Sequence, residues 1–179
     1  MKVKNILMHF HLVNRHRFMV FKLCCKAGIP FRGLVHDLSK YSLTEFIESA
    51  EYYNGKRSPI SICREKNGYS KAWLHHKGRN KHHFEYWVDF TAPNKTPIIP
   101  YKYTVEMICD NLAAGLTYKK KEWYPGYQLE YFNNRKDKEY INEKIVKVLE
   151  ETYKQVAEKG IKEVITKNNL KKIYNKYVC

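Results

Sequence analysis

The chain has 179 residues, 44% of them hydrophobic and 15% aromatic, with a formal net charge of +15. That length suits one domain with a real core and is short for two, and the composition excludes a disordered chain. The charge favours anionic partners: nucleotides, nucleic acid, phosphorylated metabolites or an acidic surface.

The charge is unevenly spread. Residues 1–36 carry seven Lys/Arg, and the first carboxylate is Asp37. Residues 53–84 carry eight Lys/Arg against Glu65 alone. The positive field is therefore strongest where the histidines are. The cysteines Cys24, Cys25, Cys63, Cys109 and Cys179 form no CxxC or disulfide framework, and read as thiols of a reducing cytoplasm. Polar residues from His9 to Arg17 interrupt the apolar N-terminal patches, so the expectation is a soluble intracellular protein with no membrane helix.

The periodicity is helical almost throughout, and the expected class is all-α. A first helix over 4–27 stops at Gly28, with Pro30 two positions beyond. A short helix over 31–37 ends near His36 and Asp37. Ser42 and Glu45 of "SLTE" make a capping box for a helix over 43–54. Residues 56–69 read as a loop. Ser70 caps a helix running towards Val88, which Gly78 can break in two. Three prolines make 91–100 a rigid connector, 101–118 is the next helix, and "EWYPGYQLEYF" reads as irregular. From about 137 a charged amphipathic helix reaches Gly160, with Ile141, Ile145, Val148, Leu149 and Val156 on one face. A last helical segment ends the chain.

Polar residues that share helix faces mark a candidate site. His9, His16 and Leu23 fall on one stripe of the first helix, so His16 faces the core. On the helix over 101–118, Asp110 sits between Met107 and two alanines, where a buried carboxylate needs a partner. In "AWLHHKGRNKHHFEYW" an unbroken helix would align Trp73, His76, Asn80, His83 and Trp87. The neighbouring stripe would hold His75, Arg79, His82 and Tyr86, and either stripe can turn two imidazoles inward. Taken singly, each has a plain reading: His16 as a core histidine, Asp37 as a helix cap, the paired histidines as a surface patch for anions.

Taken in order, His16, His36-Asp37, His75-His76, His82-His83 and Asp110 resemble the HD-domain superfamily of metal-dependent phosphohydrolases. "HDLSK" is similar to the HD-x-Gly-Lys variant of cyclic-dinucleotide phosphodiesterases in that superfamily, with Ser39 in place of the glycine. Residues 12–118 are also similar to a smaller group of uncharacterised bacterial proteins carrying "HDLSKY" and "RNKHHFEYW". The resemblance implies an HD-like helical bundle over 1–135, with charged C-terminal helices over 136–179 packed on it or extending it. It implies one ion held by His16, His36, Asp37 and Asp110, and a second, bridged by Asp37, completed by His76 and His82 or His83. Imidazole with carboxylate suits a divalent transition metal, Mn, Fe, Co, Ni or Zn.

The expected activity is hydrolysis of a nucleotide or other phosphorylated small molecule by metal-activated water, with Asp37 and Lys40 as catalytic residues. Lys40, Arg79 and Lys81 are placed in sequence to hold phosphate oxygens, Arg79 by a bidentate fork. Glu106 and Glu45 are the general-acid candidates by chemistry. Two alternatives stand beside this: a basic helical module that binds nucleic acid or a nucleotide without turnover, and an HD-like di-iron oxygenase. Lys119, Lys120 and Lys121 are the best candidates for a phosphate-backbone contact.

Overall fold

Helix α1 (Val3–Lys26) buries His9, Val13, His16, Val20, Leu23 and Cys24 along one stripe, as the spacing of its apolar residues requires. The computed structural model describes residues 3–179, and among these the chain is all-α, with ten helices, short 3₁₀ turns and no strand. Gly28 closes α1 at φ +77, its N–H donating to the Cys25 carbonyl and that of Ile29 to Cys24. Pro30 opens α2 (Pro30–Val35) at the first helical position, where no N–H is needed.

α2 crosses α1 at Gly33. A Cβ there would lie 2.6 Å from Cys24 Cβ and 2.9 Å from the Phe21 Cα. This close approach sets the depth at which His36, directly after α2, enters the interior. A 3₁₀ turn (Leu38–Tyr41) leads to α3 (Leu43–Glu51), where Ser42 accepts the Glu45 N–H at 3.4 Å. The other half of the expected capping box does not form, because the Glu45 carboxylate turns to two histidines instead.

Two further expectations are corrected. Residues 56–69 hold α4 (Pro59–Asn67), with Pro59 in its first turn and Gly68 at φ +80 as its stop. Residues 123–133 hold α7 (Tyr127–Asn133), which follows Pro125 and Gly126. In both, a proline or glycine read as a loop signal punctuates a short helix. The helix opened by Ser70 is short: α5 (Lys71–Lys77) ends at Gly78, and Phe84–Trp87 is a separate 3₁₀ turn.

Helix α6 (Tyr101–Lys119) is the central element, with residues 104–109 all buried. α10 (Lys167–Val178) packs on it, α8 (Glu143–Lys159) reaches it through Tyr153, whose hydroxyl accepts from Asn111, and α9 (Ile161–Val164) connects the two. One apolar cluster joins Cys24 of α1, Leu112 of α6, Phe132 of α7, Tyr153 of α8 and Ile173 of α10. The segment 136–179 thus contributes to the core that also contains α1 and α6. The site lies where α1 and α6 meet α3 and α5. Among the described residues, no helix is long and apolar enough to cross a membrane. All five cysteines are unpaired.

Candidate metal centre

His36 and Asp37 interrupt the helical path. His36 caps α2 at φ −54, ψ 131, and Asp37 takes the left-handed conformation at φ +54. Non-glycine residues rarely adopt that region, and aspartate tolerates it better than most. The break lets two adjacent side chains converge: His36 Nε2 lies 3.3 Å from Asp37 Oδ2. Both residues are buried, at 0% and 1% exposure.

α1 and α6 complete a first cluster. His16 Nε2 is 2.9 Å from Asp110 Oδ1 and 4.0 Å from Asp37 Oδ2, and His36 Nε2 is 3.6 Å from Asp110 Oδ1. Asp37 Oδ1 faces a second cluster, with His76 Nε2 at 3.3 Å and His82 Nε2 at 3.4 Å. His83 has a donor atom within 4.8 Å of that group as well. Asp110 Oδ2 reaches towards it, 3.8 Å from His82 Nε2. Asp37 therefore has one oxygen in each cluster.

These separations fit shared ions. Two donors each about 2.1 Å from one ion stand about 3.0–3.4 Å apart at octahedral or tetrahedral angles. Most of the donor atoms also lack other partners. His16 Nε2, His36 Nε2, His82 Nε2 and Asp37 Oδ1 are buried without a partner in hydrogen-bond geometry, while Asp37 Oδ2 has Lys40 Nζ at 2.7 Å. Such orphans are rare in folded proteins, and four facing common points fit the donor set of a divalent ion. Mixed nitrogen and oxygen donors suit a transition metal.

A surrounding layer orients the imidazoles. Glu106 Oε1 lies 3.0 Å from His36 Nδ1 and 3.2 Å from His82 Nδ1, and Arg32 Nε donates to Glu106 Oε2 at 2.7 Å. Glu45 Oε2 lies 2.7 Å from His76 Nδ1, and its Oε1 lies 2.6 Å from His75 Nδ1. Carboxylates at Nδ1 leave Nε2 free to bind a metal. Glu106, a general-acid candidate by chemistry, thus sits behind the imidazoles as an orienting group. Glu45 holds His76 in the same way, while also lining the adjoining cavity.

Electrostatics follow from burial and pairing. Burial opposes the ionised form of Glu106, yet His36, His82 and Arg32 hold its pKa down at about 2. Burial likewise opposes charge on Asp37, but His36, Lys40 and His76 hold it well below the usual carboxylate range. Burial pushes the His16 pKa down against the pull of Asp110. For Lys40, whose Nζ is 2.7 Å from Asp37 Oδ2, burial disfavours the cation and the Asp37 and Asp110 carboxylates more than compensate.

The structure brings together His16, His36, Asp37, Lys40, His76, His82, His83 and Asp110. Arg79 and Lys81 do not join them. Both are exposed, and neither lines the cavity beside the cluster. Arg79 turns back to the His75 carbonyl at 3.5 Å, and Lys81 lies over the Tyr86 and Tyr103 rings. The cause is the end of α5 at Lys77, which abolishes the helical stripes of an unbroken 71–88. The turn that follows instead carries His82 inward. Sequence reading missed Arg32, and also Ser39, 3.3 Å from His76 Nδ1, and Asn80, which donates to Ser39 Oγ and to the His76 carbonyl. It placed His9 on the buried stripe without assigning it a role.

A helical fold with paired His/Asp clusters sharing one aspartate defines a class of candidate metalloproteins. The chain belongs to a family of unknown function, DUF5662, whose match covers residues 5–155 and so every residue of the cluster. No curated protein and no solved structure matches the chain.

Proposed function

We propose that the chain is a metal-dependent phosphohydrolase of HD-like type acting on a phosphorylated small molecule. The observation that carries this is Asp37, whose two buried oxygens face two clusters, Oδ1 without a hydrogen-bond partner and Oδ2 paired with Lys40. The resemblance of the order His, His-Asp, His, His, Asp to the HD superfamily supports the same reading. Ions held there would supply Lewis acidity towards water and towards a phosphoryl oxygen near neutral pH.

The chain's own residues account for the rest. Lys40 lines the cavity beside the cluster, 26% exposed at its side chain, and presents a fixed positive charge to a phosphoryl group. Glu106 and Glu45 hold the His36 and His76 rings by Nδ1, so that each turns Nε2 towards the shared Asp37. The net charge of +15 draws anionic substrates towards the cleft.

The test is metal content by mass spectrometry, followed by a phosphate-ester panel with the metal-loaded protein. About one or two transition-metal ions per chain, lost in a folded His36→Ala variant, together with phosphate release, is the expected result. A folded protein that takes up none of Mn, Fe, Co, Ni or Zn overturns it.

One observation favours a second reading, a basic module that holds nucleic acid without turnover. Arg15 and Lys119, Lys120 and Lys121 surround one surface depression away from the cluster. Binding of nucleic acid that falls steeply with salt and ignores chelation would favour that reading.

A further inference from the structure

A cavity of about 170 Å³ opens beside the metal centre. Its inner end is formed by His16, Lys40, His76 and Asp110. Three helices contribute to its walls: α1 between His16 and His9, α3 with Glu45 and Ser49, and α6 with Asp110 and Ala114. The seven residues between His16 and His9 span about 10 Å along a helix. Between the two ends the lining is mostly apolar, with Leu12, Pro59, Ile60 and Trp73, interrupted by Ser49, Ser58 and Tyr118.

His9 at the outer end has no role in the metal centre. It is 5% exposed, and its Nδ1 is buried without a hydrogen-bond partner. The rings of Phe46 and Tyr53 pack on it at 5.2 and 5.9 Å and fix its plane. Nδ1 is closed off even to water, so the nitrogen that can meet a molecule entering the cavity is Nε2, to which no group of the described residues bonds.

We infer that this cavity seats the organic part of the phosphate ester, a single compact and largely apolar ring whose outer end carries a polar atom hydrogen-bonded by His9. Size sets the limit. An apolar cavity of about 150 Å³ holds one benzene, so this space admits one ring and excludes a base together with its ribose. Pockets for drug-sized ligands run to about 300–1,000 Å³. The imidazole of His9 is neutral across ordinary pH, since burial and then Lys40 lower its pKa to about 4, so it both donates and accepts.

This inference rests on the phosphohydrolase reading for the phosphoryl end, and its test separates the two. The metal-loaded protein is assayed with phenyl phosphate, 4-hydroxyphenyl phosphate and a purine nucleoside monophosphate. Binding of phenylphosphonate, which cannot be hydrolysed, is measured by calorimetry. The aryl esters should exceed the nucleotide in kcat/KM by about tenfold or more, the scale on which pockets discriminate by size and shape. Ile60→Trp, which fills the cavity from a half-buried position, should weaken phenylphosphonate about tenfold or more with metal content intact. His9→Phe should shrink the preference for the hydroxylated ester over the plain one by about tenfold, through loss of a hydrogen bond.

Phosphonate binding blocked by Ile60→Trp, without turnover of any ester, sinks the phosphohydrolase reading and supports the cavity assignment. Ester turnover that prefers the nucleotide, or that Ile60→Trp leaves untouched, overturns the cavity assignment and leaves the activity standing. Both variants are checked by thermal melting, and the Ile60 result alone decides if His9→Phe fails to fold.

Discussion

Glu106 Oε1 lies 3.0 Å from Nδ1 of His36, on the side of the ring opposite the nitrogen that faces Asp37. The same oxygen lies 3.2 Å from His82 Nδ1, outside hydrogen-bond geometry, so its hydrogen bond orients His36 while its charge reaches both clusters. Its charge is balanced by Arg32 rather than by solvent. Glu106→Gln keeps the shape and removes the charge that fixes the tautomer. It should lower metal affinity about 10–100-fold, the usual loss for an outer-shell partner. Competition with a chelating dye measures this, and unchanged affinity would remove Glu106 from the site.

That His16, His36, Asp37 and Asp110 gather at one place was legible in the sequence, because order and residue type suffice for it. His16 lay on the buried stripe of α1, and Asp110 lay on a stripe with small neighbours. Choosing among His75, His76, His82 and His83 was not legible, since it depended on where α5 stops. Gly78 is only a weak breaker, and the turn after it is set by tertiary contacts such as Asn80 Nδ2 donating to the His76 carbonyl at 2.8 Å. Glu45 illustrates the same limit. Its spacing from Ser42 fits a capping box, but two imidazoles brought by α5 compete for the carboxylate and win. α4 and α7 were missed because both are short and rest on tertiary packing, which local pattern does not report.

Asp37 combines an uncommon backbone with a shared side chain. Asparagine tolerates φ near +54 as well as aspartate does, so Asp37→Asn should fold with α2 and α3 in place. It should nevertheless lose metal by more than the ~100-fold of an outer-shell change, since an amide cannot offer two anionic oxygens. Mass spectrometry of the purified variant beside its circular dichroism checks both halves. A folded Asn variant with full metal content would contradict the sharing of Asp37 between clusters.

Gly33 fixes how deep α2 sits on α1. A Cβ there meets a Cβ and a backbone Cα, not the tip of a flexible chain, so the helices must part. Gly33→Ala should therefore destabilise the fold by about 1–3 kcal/mol, the range for overpacking in a filled interior. Because His36 follows α2 by one residue, metal affinity should fall with it. Urea melts and dye competition on one preparation would show whether the two losses travel together. An alanine variant as stable as wild type would mean that α2 is not held by this approach.

His9 gives acid sensitivity with a definite sign. Burial and then the Lys40 cation lower its folded pKa from 6.5 to about 4. Between those values the unfolded chain binds a proton that the folded chain refuses. Stability therefore falls as pH drops from about 6.5 to about 4, by at most roughly 3 kcal/mol from this residue. His16 and His83, whose pKa values burial also lowers, act in the same direction. His36 and His76 act in the opposite one: burial opposes their protonation, but nearby carboxylates raise their pKa values. The total slope is a sum, and the contribution of His9 is the difference between wild type and His9→Phe. Stability measured by urea titration at pH 7 and pH 4.5 should drop less in the variant. Equal drops in both proteins would show that His9 is protonated in the fold, and that its imidazole is not held in an apolar wall.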